Sequence, residues 1–589
     1  MRDVTKPLTW LWPEADADGA PEALLSRELG LHPVAARVMV NRGHPTPAQA
    51  QAFLDDSLSS LPDPFRMKGL AAAVDRLARA VRQQEPVTLW GDYDVDGVCS
   101  TALLTTFLRD VGLPVRTYIP HRLGEGYGLN ATAIERLASE GTKLLVTLDC
   151  GITSHAEIAR ANALGLEVVV VDHHAVPETM PPAVAVLNPL QPGCDYPTKW
   201  LCAGGVTFNL CMGLRRSLRE VGHFSATKRP EPNLKQLLDL VALATVADVV
   251  PLTGANRTLV RHGLEVLTAG ARPGVRALKE VAQLSGAPIT AGHVGFRLGP
   301  RINAAGRLDD ASVGLQLLLS PDVERARPLA QKLDAANAER QQLERAMLQG
   351  ALDQAQGFVD QGARGLVLAQ EGWHPGVVGI VASRVVERFH RPTVLIGSHD
   401  GVWRGSARSI EGFHLYDALK TCEHHLSKFG GHKAAAGLSI DPARLEAFRE
   451  SFHAVTRERL SEPQLVPRQR IDAVVSPAEL DVAAVEALQA LAPFGMGNPE
   501  PVLGLRRLVT SPRVLESKQP GQPGHLKLTL EAAPQLDCIG FGFAPLAPLT
   551  AAAADLAVQV SIDEFRGARR VGLKLKALRA SPYQHVRQA

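Results

Sequence analysis

Three short runs in this chain concentrate carboxylates and imidazoles: Gly91-Asp92-Tyr93-Asp94-Val95-Asp96-Gly97, Thr147-Leu148-Asp149-Cys150-Gly151 and Asp172-His173-His174. Each follows a run of strand length, Val87–Trp90, Lys143–Leu148 and Leu166–Val171, whose near-continuous hydrophobicity suits a strand buried on both faces. The carboxyl ends of parallel strands open into one crevice, so these groups should converge on a single point. Like charges gathered there oppose one another's ionisation unless a cation balances them. The pattern predicts a metal site.

Asp92, Asp94 and Asp96 alternate along the chain and are closed by Gly97, which suits a tight loop lined with carboxylates. The run also matches the opening of a helix-loop-helix calcium loop, D-x-D-x-D-G. Position twelve of such a loop would be Leu103 rather than Glu, and the flanks read as strand and helix, so that class is set aside. Nitrogen donors from His173 and His174 beside carboxylates favour Mn²⁺ or a similar transition ion over a purely oxygen-ligated one. A further carboxylate, Asp248, stands behind another apolar run in Ala244-Thr245-Val246-Ala247-Asp248.

The elements that must position these groups follow from length and patterning. At 589 residues the chain exceeds what one core supports, and three or four domains are expected. With 45% apolar and 21% charged residues it has an ordinary globular composition. No stretch is long and apolar enough for a membrane span, and Met1–Lys6 lacks the apolar core of an export signal. Seven cysteines without a CxxC pair argue for reduced thiols, and a cytoplasmic location is expected. The net charge of +2 is unevenly spread: Val502–Ala589 carries twelve Lys/Arg against six Asp/Glu, leaving the preceding residues net acidic. A basic C-terminal module beside an acidic body suits a polyanion-binding tail.

Residues 1–80 read as short helices, including Thr46–Phe53 and Ala71–Arg82. Residues 81–325 alternate strand and helix and predict a doubly wound α/β domain. Residues 326–357 read as one long charged connecting helix. A second α/β pattern occupies 358–462, with a strand at Thr393–Ile396 and the glycine-rich Phe429-Gly430-Gly431-His432. The tail, 463–589, holds strand-like runs at Leu526–Leu530, Leu556–Glu564 and Val571–Lys576 with apolar/basic alternation, the pattern of a small oligonucleotide-binding barrel.

In their order and spacing, GDYDVDG, LDCG, DHH and TVADVVPL resemble the DHH phosphoesterase superfamily. Phe296–Arg307, Gly405–Ser409 and Phe429–Lys433 are similar to one branch of it, the bacterial RecJ single-strand-specific exonucleases. The resemblance covers nearly the whole chain. It implies an α/β fold in which a DHH parallel-sheet domain is joined by the long helix to a DHHA1 α/β domain, with a C-terminal OB-like β-barrel. It also implies a 5′-to-3′ DNA exonuclease of recombination and repair that uses two Mn²⁺ or Mg²⁺ ions. In that scheme Asp149 bridges the ions, Asp94 binds one, Asp96 and Asp248 the other, and His173 supplies nitrogen. Asp92 is a nearby candidate ligand, and His174 stabilises the transition state or protonates the leaving oxygen.

Arg122, Ser406 and Arg408 match positions that hold a terminal 5′ phosphate in relatives. Arg301, Asn303 and Arg307 either line the path of the strand or make ordinary helix-terminal and interdomain hydrogen bonds. His374 is a DNA contact, a turn residue or an interdomain contact, and the neighbouring Trp373 could stack a base. Lys527, Arg566, Lys574 and Lys576 would meet backbone phosphates. The implied partners are single-stranded DNA, a single-strand-binding protein and a RecQ-type helicase, with the enzyme itself a monomer. Two rival readings are a DHH phosphodiesterase acting on short oligonucleotides and a non-catalytic replication scaffold.

Overall fold

The computed structural model describes residues 3–14, 19–121, 125–126, 128–308, 310–399, 401–518, 522–565 and 568–581. Two compact units emerge, and neither is one continuous stretch. The first comprises Asp55–Arg340 with Ala492–Pro499, and the second Met1–Leu54, Gln341–Leu491 and Glu500–Ala589. The N-terminal segment expected over 1–80 is therefore divided. Thr9–Leu11 adds itself in parallel to Arg468–Arg470, which ties the start of the chain to the second unit. The helix Leu70–Gln83 belongs to the first, where Leu70 and Val74 pack over Gly213 of the helix Ala203–Glu220.

The first unit is built on a five-stranded, all-parallel sheet in the order Val115–Tyr118, Val87–Gly91, Leu144–Leu148, Glu167–Val171, Ala185–Leu187. Every residue of Val87–Gly91 and Leu144–Leu148 is buried, as a sheet covered on both faces requires. The chain starts at Val87–Gly91, winds outward to Val115–Tyr118, then crosses back to Leu144–Leu148 on the other side. That reversal is the topological switch point of a doubly wound sheet, where a ligand crevice opens at the carboxyl ends. The register aligns those ends. Gly91 pairs with Leu148 and Leu148 with Val171, so the next residues, Asp92, Asp149 and Asp172, stand in one row across three strands.

Behind the sheet run the buried helices Val95–Asp110 and Leu238–Ala247. The apolar run before Asp248 is the second of these helices, with Leu238–Thr245 buried throughout. A helix apolar on every face cannot be told from a buried strand by periodicity alone.

The connecting helix runs from Val323 to Asp360, three residues beyond its expected limits at each end. The second unit holds a five-stranded sheet in the order Leu426–Gly431, Ala435–Ile440, Val402–Arg408, Thr393–His399, Leu366–Gln370. Only its last pair is parallel. The glycine-rich Phe429-Gly430-Gly431 run lies in an edge strand of this sheet. A separate seven-stranded sheet carries the C-terminal runs, its longest pair being the hairpin of Ala554–Phe565 with Ala568–Ala580. Along the second of these strands Leu573, Leu575 and Ala577 face inward while Lys574 and Lys576 are exposed, the alternation expected from the sequence.

Candidate metal centre

The Asp92–Gly97 run turns directly from strand to helix. Asp94 caps the helix Val95–Asp110, its Oδ1 accepting from the amides of Asp96 (2.9 Å) and Gly97 (3.1 Å). The turn is so tight that a Cβ on Gly97 would lie 2.5–2.7 Å from the backbone N, C and O of Asp92. Asp96 then reaches a second helix. Its Oδ2 and Oδ1 accept from the amides of Ala203 and Gly204, both at 2.7 Å, at the start of Ala203–Glu220. Even so, burial and then the Asp94 charge push the Asp96 carboxyl up to about 6.

Asp149 takes a left-handed backbone conformation, φ 67°, unusual for a residue other than glycine. Burial raises its pKa well above the usual carboxylate range, and the charges of Asp96, Asp94, Asp92 and Asp248 add to this. His173 reaches into the same space: its Nε2 lies 3.1 Å from Asp149 Oδ1 and 3.6 Å from both Asp96 Oδ2 and Asp248 Oδ2. One imidazole nitrogen thus meets carboxylates from a strand end, a helix start and a helix end. Asp248 is the last of these, at the C-terminus of Leu238–Ala247. Burial, then Asp96 and Asp94, push it up to about 9, against the opposing pull of His174. The following Val249 is also left-handed, φ 59°, strain a β-branched residue adopts only when its surroundings demand it.

The first residue of the DHH run has a role that reading the sequence missed. Asp172 is fully buried; its Oδ1 accepts from the His173 amide (2.7 Å), the His174 amide (3.1 Å) and His174 Nδ1 (2.7 Å), and its Oδ2 from the Ile152 amide (3.0 Å). Burial works to raise its pKa, but these donors hold it below the usual range. For His174, burial works to lower the pKa, yet Asp172 prevails and lifts it to about 9. Asp172 therefore orients His174 and keeps it cationic. A carboxylate two residues before a histidine was the available signal.

The ligand atoms fall into groups whose members lie within 4.8 Å of one another: Asp92/Asp94/Asp149, Asp96/His173/Asp248, and Asp149/His173/His174. The first two share no residue, while Asp149 and His173 link them through the third. Asp248 Oδ2 is buried and accepts no hydrogen bond among the described residues. Mixed oxygen and nitrogen donors, clustered carboxylates and a buried acceptor without a donor all fit two adjacent divalent cations of the Mn²⁺ or Mg²⁺ kind.

The helix Gly299–Leu308 buttresses this loop. Gly306 lets it press against Tyr93, where a Cβ would lie 2.4 Å from the carbonyl oxygen. Asn303 Oδ1 accepts from the Val95 amide (3.1 Å). Arg301 donates to Asp334 Oδ1 (2.9 Å) and the Arg297 carbonyl (2.6 Å). Arg301 and Asn303 thus make helix and loop hydrogen bonds, and Arg307 is half-buried on the same helix.

In the second unit Arg408 Nη1 donates to Ser406 Oγ and the Ala407 carbonyl, both at 2.9 Å. The close approach there belongs to Gly379. A Cβ on Gly379, in the first turn of Val378–Phe389, would lie 2.9 Å from both Arg408 Nη2 and Ser406 Oγ, whereas Gly405 makes room for Ile396 and Leu438. His374 Nδ1 accepts from the Gly376 amide at 3.1 Å and so closes a turn. Trp373 is only 4% exposed and packs in the core, so the expectation that it stacks a base is withdrawn. Lys527 pairs with Asp537 at 2.7 Å. Arg122 and Arg566 lie outside the described residues.

Comparison with known proteins agrees with this layout. Residues 86–245 match the DHH family N-terminal domain, 362–458 the DHHA1 domain and 471–577 the RecJ OB domain. The single-stranded-DNA-specific exonuclease RecJ of Dickeya dadantii is 42% identical over 89% of this chain and 93% of its own length. The crystal structure of RecJ from Thermus thermophilus with Mn²⁺ superposes with a TM-score of 0.82 at 32% identity, covering 99% of this chain and 81% of that one. The Mg²⁺ complex of the same protein gives a TM-score of 0.76 at 31% identity, over 98% and 79% of the two chains.

Proposed function

Because the chain belongs to the RecJ family, we propose that it is a metal-dependent exonuclease that hydrolyses single-stranded DNA from the 5′ end. The observation that carries the chemistry is the pair of separate ligand groups, Asp92/Asp94/Asp149 and Asp96/His173/Asp248, joined across Asp149 and His173. Two divalent ions bound there would acidify water and neutralise the charge that develops on a phosphodiester. Asp149 would face both ion positions, and the Asp94 and Asp96 carboxylates are held in place by the starts of two helices.

His174, fixed and kept cationic by Asp172, is suited to hold charge on the phosphoryl oxygens or to protonate the leaving oxygen. End selection falls to Ser406 and Arg408. A guanidinium and a hydroxyl beside the first turn of Val378–Phe389 would form an anion cradle, since an Arg fork and a helix start both favour phosphate. Exposed Lys574 and Lys576, with Lys527, would track the backbone.

The reading extends to a cytoplasmic monomer in DNA recombination and repair, working with a single-strand-binding protein and a RecQ-type helicase. Seven buried cysteines, none in a disulfide, suit a reducing compartment, and no helix among the described residues is long and apolar enough to cross a membrane. A similarity that continues through the C-terminal sheet favours long strands over short oligonucleotides as substrate. The test is digestion of end-labelled single- and double-stranded DNA with Mn²⁺, Mg²⁺ or chelator. Nucleotides should appear from the 5′ end of the single strand only, and not in chelator; release that ignores strandedness or survives chelation rejects the proposal.

A further inference from the structure

Beside Asp248 the first unit carries a cavity of about 320 Å³ whose walls come from three separated stretches of chain: Val246–Leu252, Ala291–Asn303 and Phe494–Met496. Its lining side chains are apolar apart from Asn303. Three side chains on it are exposed to a degree that folding alone does not explain: Phe296 (85%), Val249 (64%) and Met496 (57%). Phe296 is the most exposed large apolar side chain among the described residues. An apolar surface kept open across several segments marks a place where something binds.

Its construction is deliberate in each stretch. Phe296 sits in a π-helical turn, Val294–Leu298, a geometry concentrated at functional sites. Val249 is held in a left-handed conformation that disfavours a β-branched residue. The Phe494–Met496 loop is pinned by the Leu252 amide donating to the Met496 carbonyl at 2.8 Å, and by Asn498 Nδ2 donating to the Pro493 carbonyl at 2.9 Å. All three apolar tips are thus presented by fixed backbone.

What fills the cavity follows from its continuity with the metal centre. Val249 directly follows Asp248, and Asn303 in the cavity wall also accepts from Val95, within the Asp94–Asp96 loop. A nucleotide whose phosphate reached those carboxylates through cations would bring its base against the adjoining wall. Apart from Asn303 that wall offers apolar side chains, which suits the face of a base better than its edge.

Resting on the exonuclease reading above, we propose that this cavity, with Phe296 as its platform and Met496 and Val249 as flanks, receives the nucleobase next to the scissile phosphate. It recognises the base by stacking, without sequence preference. Phe296 is then a substrate-positioning residue.

The test is a cycle on the full-length protein with Mn²⁺, using 5′-phosphorylated strands that are intact or carry one abasic residue at the first, second or third position. For the wild type, an abasic residue at one of these positions should lower kcat/KM about tenfold, the scale of a lost base–aromatic stack. Phe296→Ala should be slower on intact DNA by a similar factor and indifferent to the abasic residue at that position. Its Mn²⁺ affinity by calorimetry should be unchanged. Met496→Ala should show the same pattern more weakly, and Phe296→Trp should restore both rate and sensitivity. Equal abasic penalties in wild type and variant, or a wild type indifferent at all three positions, overturn the proposal while leaving the exonuclease reading intact; an apolar segment of another protein would then be the occupant to seek. No Mn²⁺-dependent release from intact strands overturns both.

Discussion

Binding of Mn²⁺ should expel protons from this centre, and the number can be worked from its carboxylates. With the ions absent, burial and mutual repulsion hold Asp248 at about 9 and Asp149 well above the usual range, while Asp96 stands at about 6. At pH 7.5 a group titrating at 9 is roughly 97% protonated and one at 6 roughly 3%. Asp248 therefore contributes about one proton and Asp96 almost none, with Asp149 adding to the total. Because the ligands must be anionic, the apparent Mn²⁺ constant should fall at least about tenfold for each pH unit lowered between 9 and 6. Calorimetry in two buffers of different ionisation enthalpy reads the released protons directly, and Asp248→Asn should reduce the count by about one. The same groups set a stability trend. Their folded pKa values are raised, so their contribution is full below about pH 4 and is lost as pH rises, by about pH 6 for Asp96 and about pH 9 for Asp248, at about 1.4 kcal/mol per unit for each group while it is protonated only in the folded chain. The metal-free protein should melt at progressively lower temperature across that window, and Mn²⁺ should restore most at the alkaline end. Buffer-independent binding heats, together with a flat melting profile, would refute the claim that these carboxylates crowd one another.

Four substitutions probe the rest of the machinery. Asp149→Asn should abolish hydrolysis yet leave single-strand affinity, measured by fluorescence anisotropy, within severalfold of wild type. Gly97→Ala places a carbon 2.5–2.7 Å from the Asp92 backbone; it should cost several kcal/mol of stability in a denaturant melt and weaken Mn²⁺ uptake, because the loop cannot close. Arg408→Ala should reduce the preference for phosphorylated over hydroxyl 5′ ends about tenfold in competition kinetics, and Gly379→Ala should do so in part by crowding both Arg408 and Ser406.

The legible part of the site is the part built from contiguous runs. Asp92–Asp96, Asp149 and His173–His174 follow strands whose unbroken apolar character announces burial, and parallel strands ending flush must bring their next residues together. The C-terminal sheet was readable for a related reason, since alternation along Val571–Lys576 has a period of two wherever one face is buried. Asp248 was legible as a residue behind an apolar run but its element was not, because a helix packed on all sides shows no periodicity. Arg301 and Asn303 look alike in the sequence, and only the structure shows their different partners, Asp334 and the Arg297 carbonyl for one and the Val95 amide for the other. Trp373 failed similarly: an aromatic in a turn-like run reads as available, whereas its packing takes it into the core.

Residue types and local spacing alone determined that carboxylates and imidazoles gather at strand ends, that a cation must offset them, and that a basic β-rich tail accompanies them, because charge and periodicity are local properties of a chain. The tertiary structure alone decided which oxygen faces which nitrogen across the strands and helices: the division into two ligand groups, the place of Asp248 beside His173, and the apolar cavity next to it. Those features arise where segments distant in the chain meet, as Phe494–Met496 does with Val246–Leu252, and no local pattern encodes a meeting of that kind.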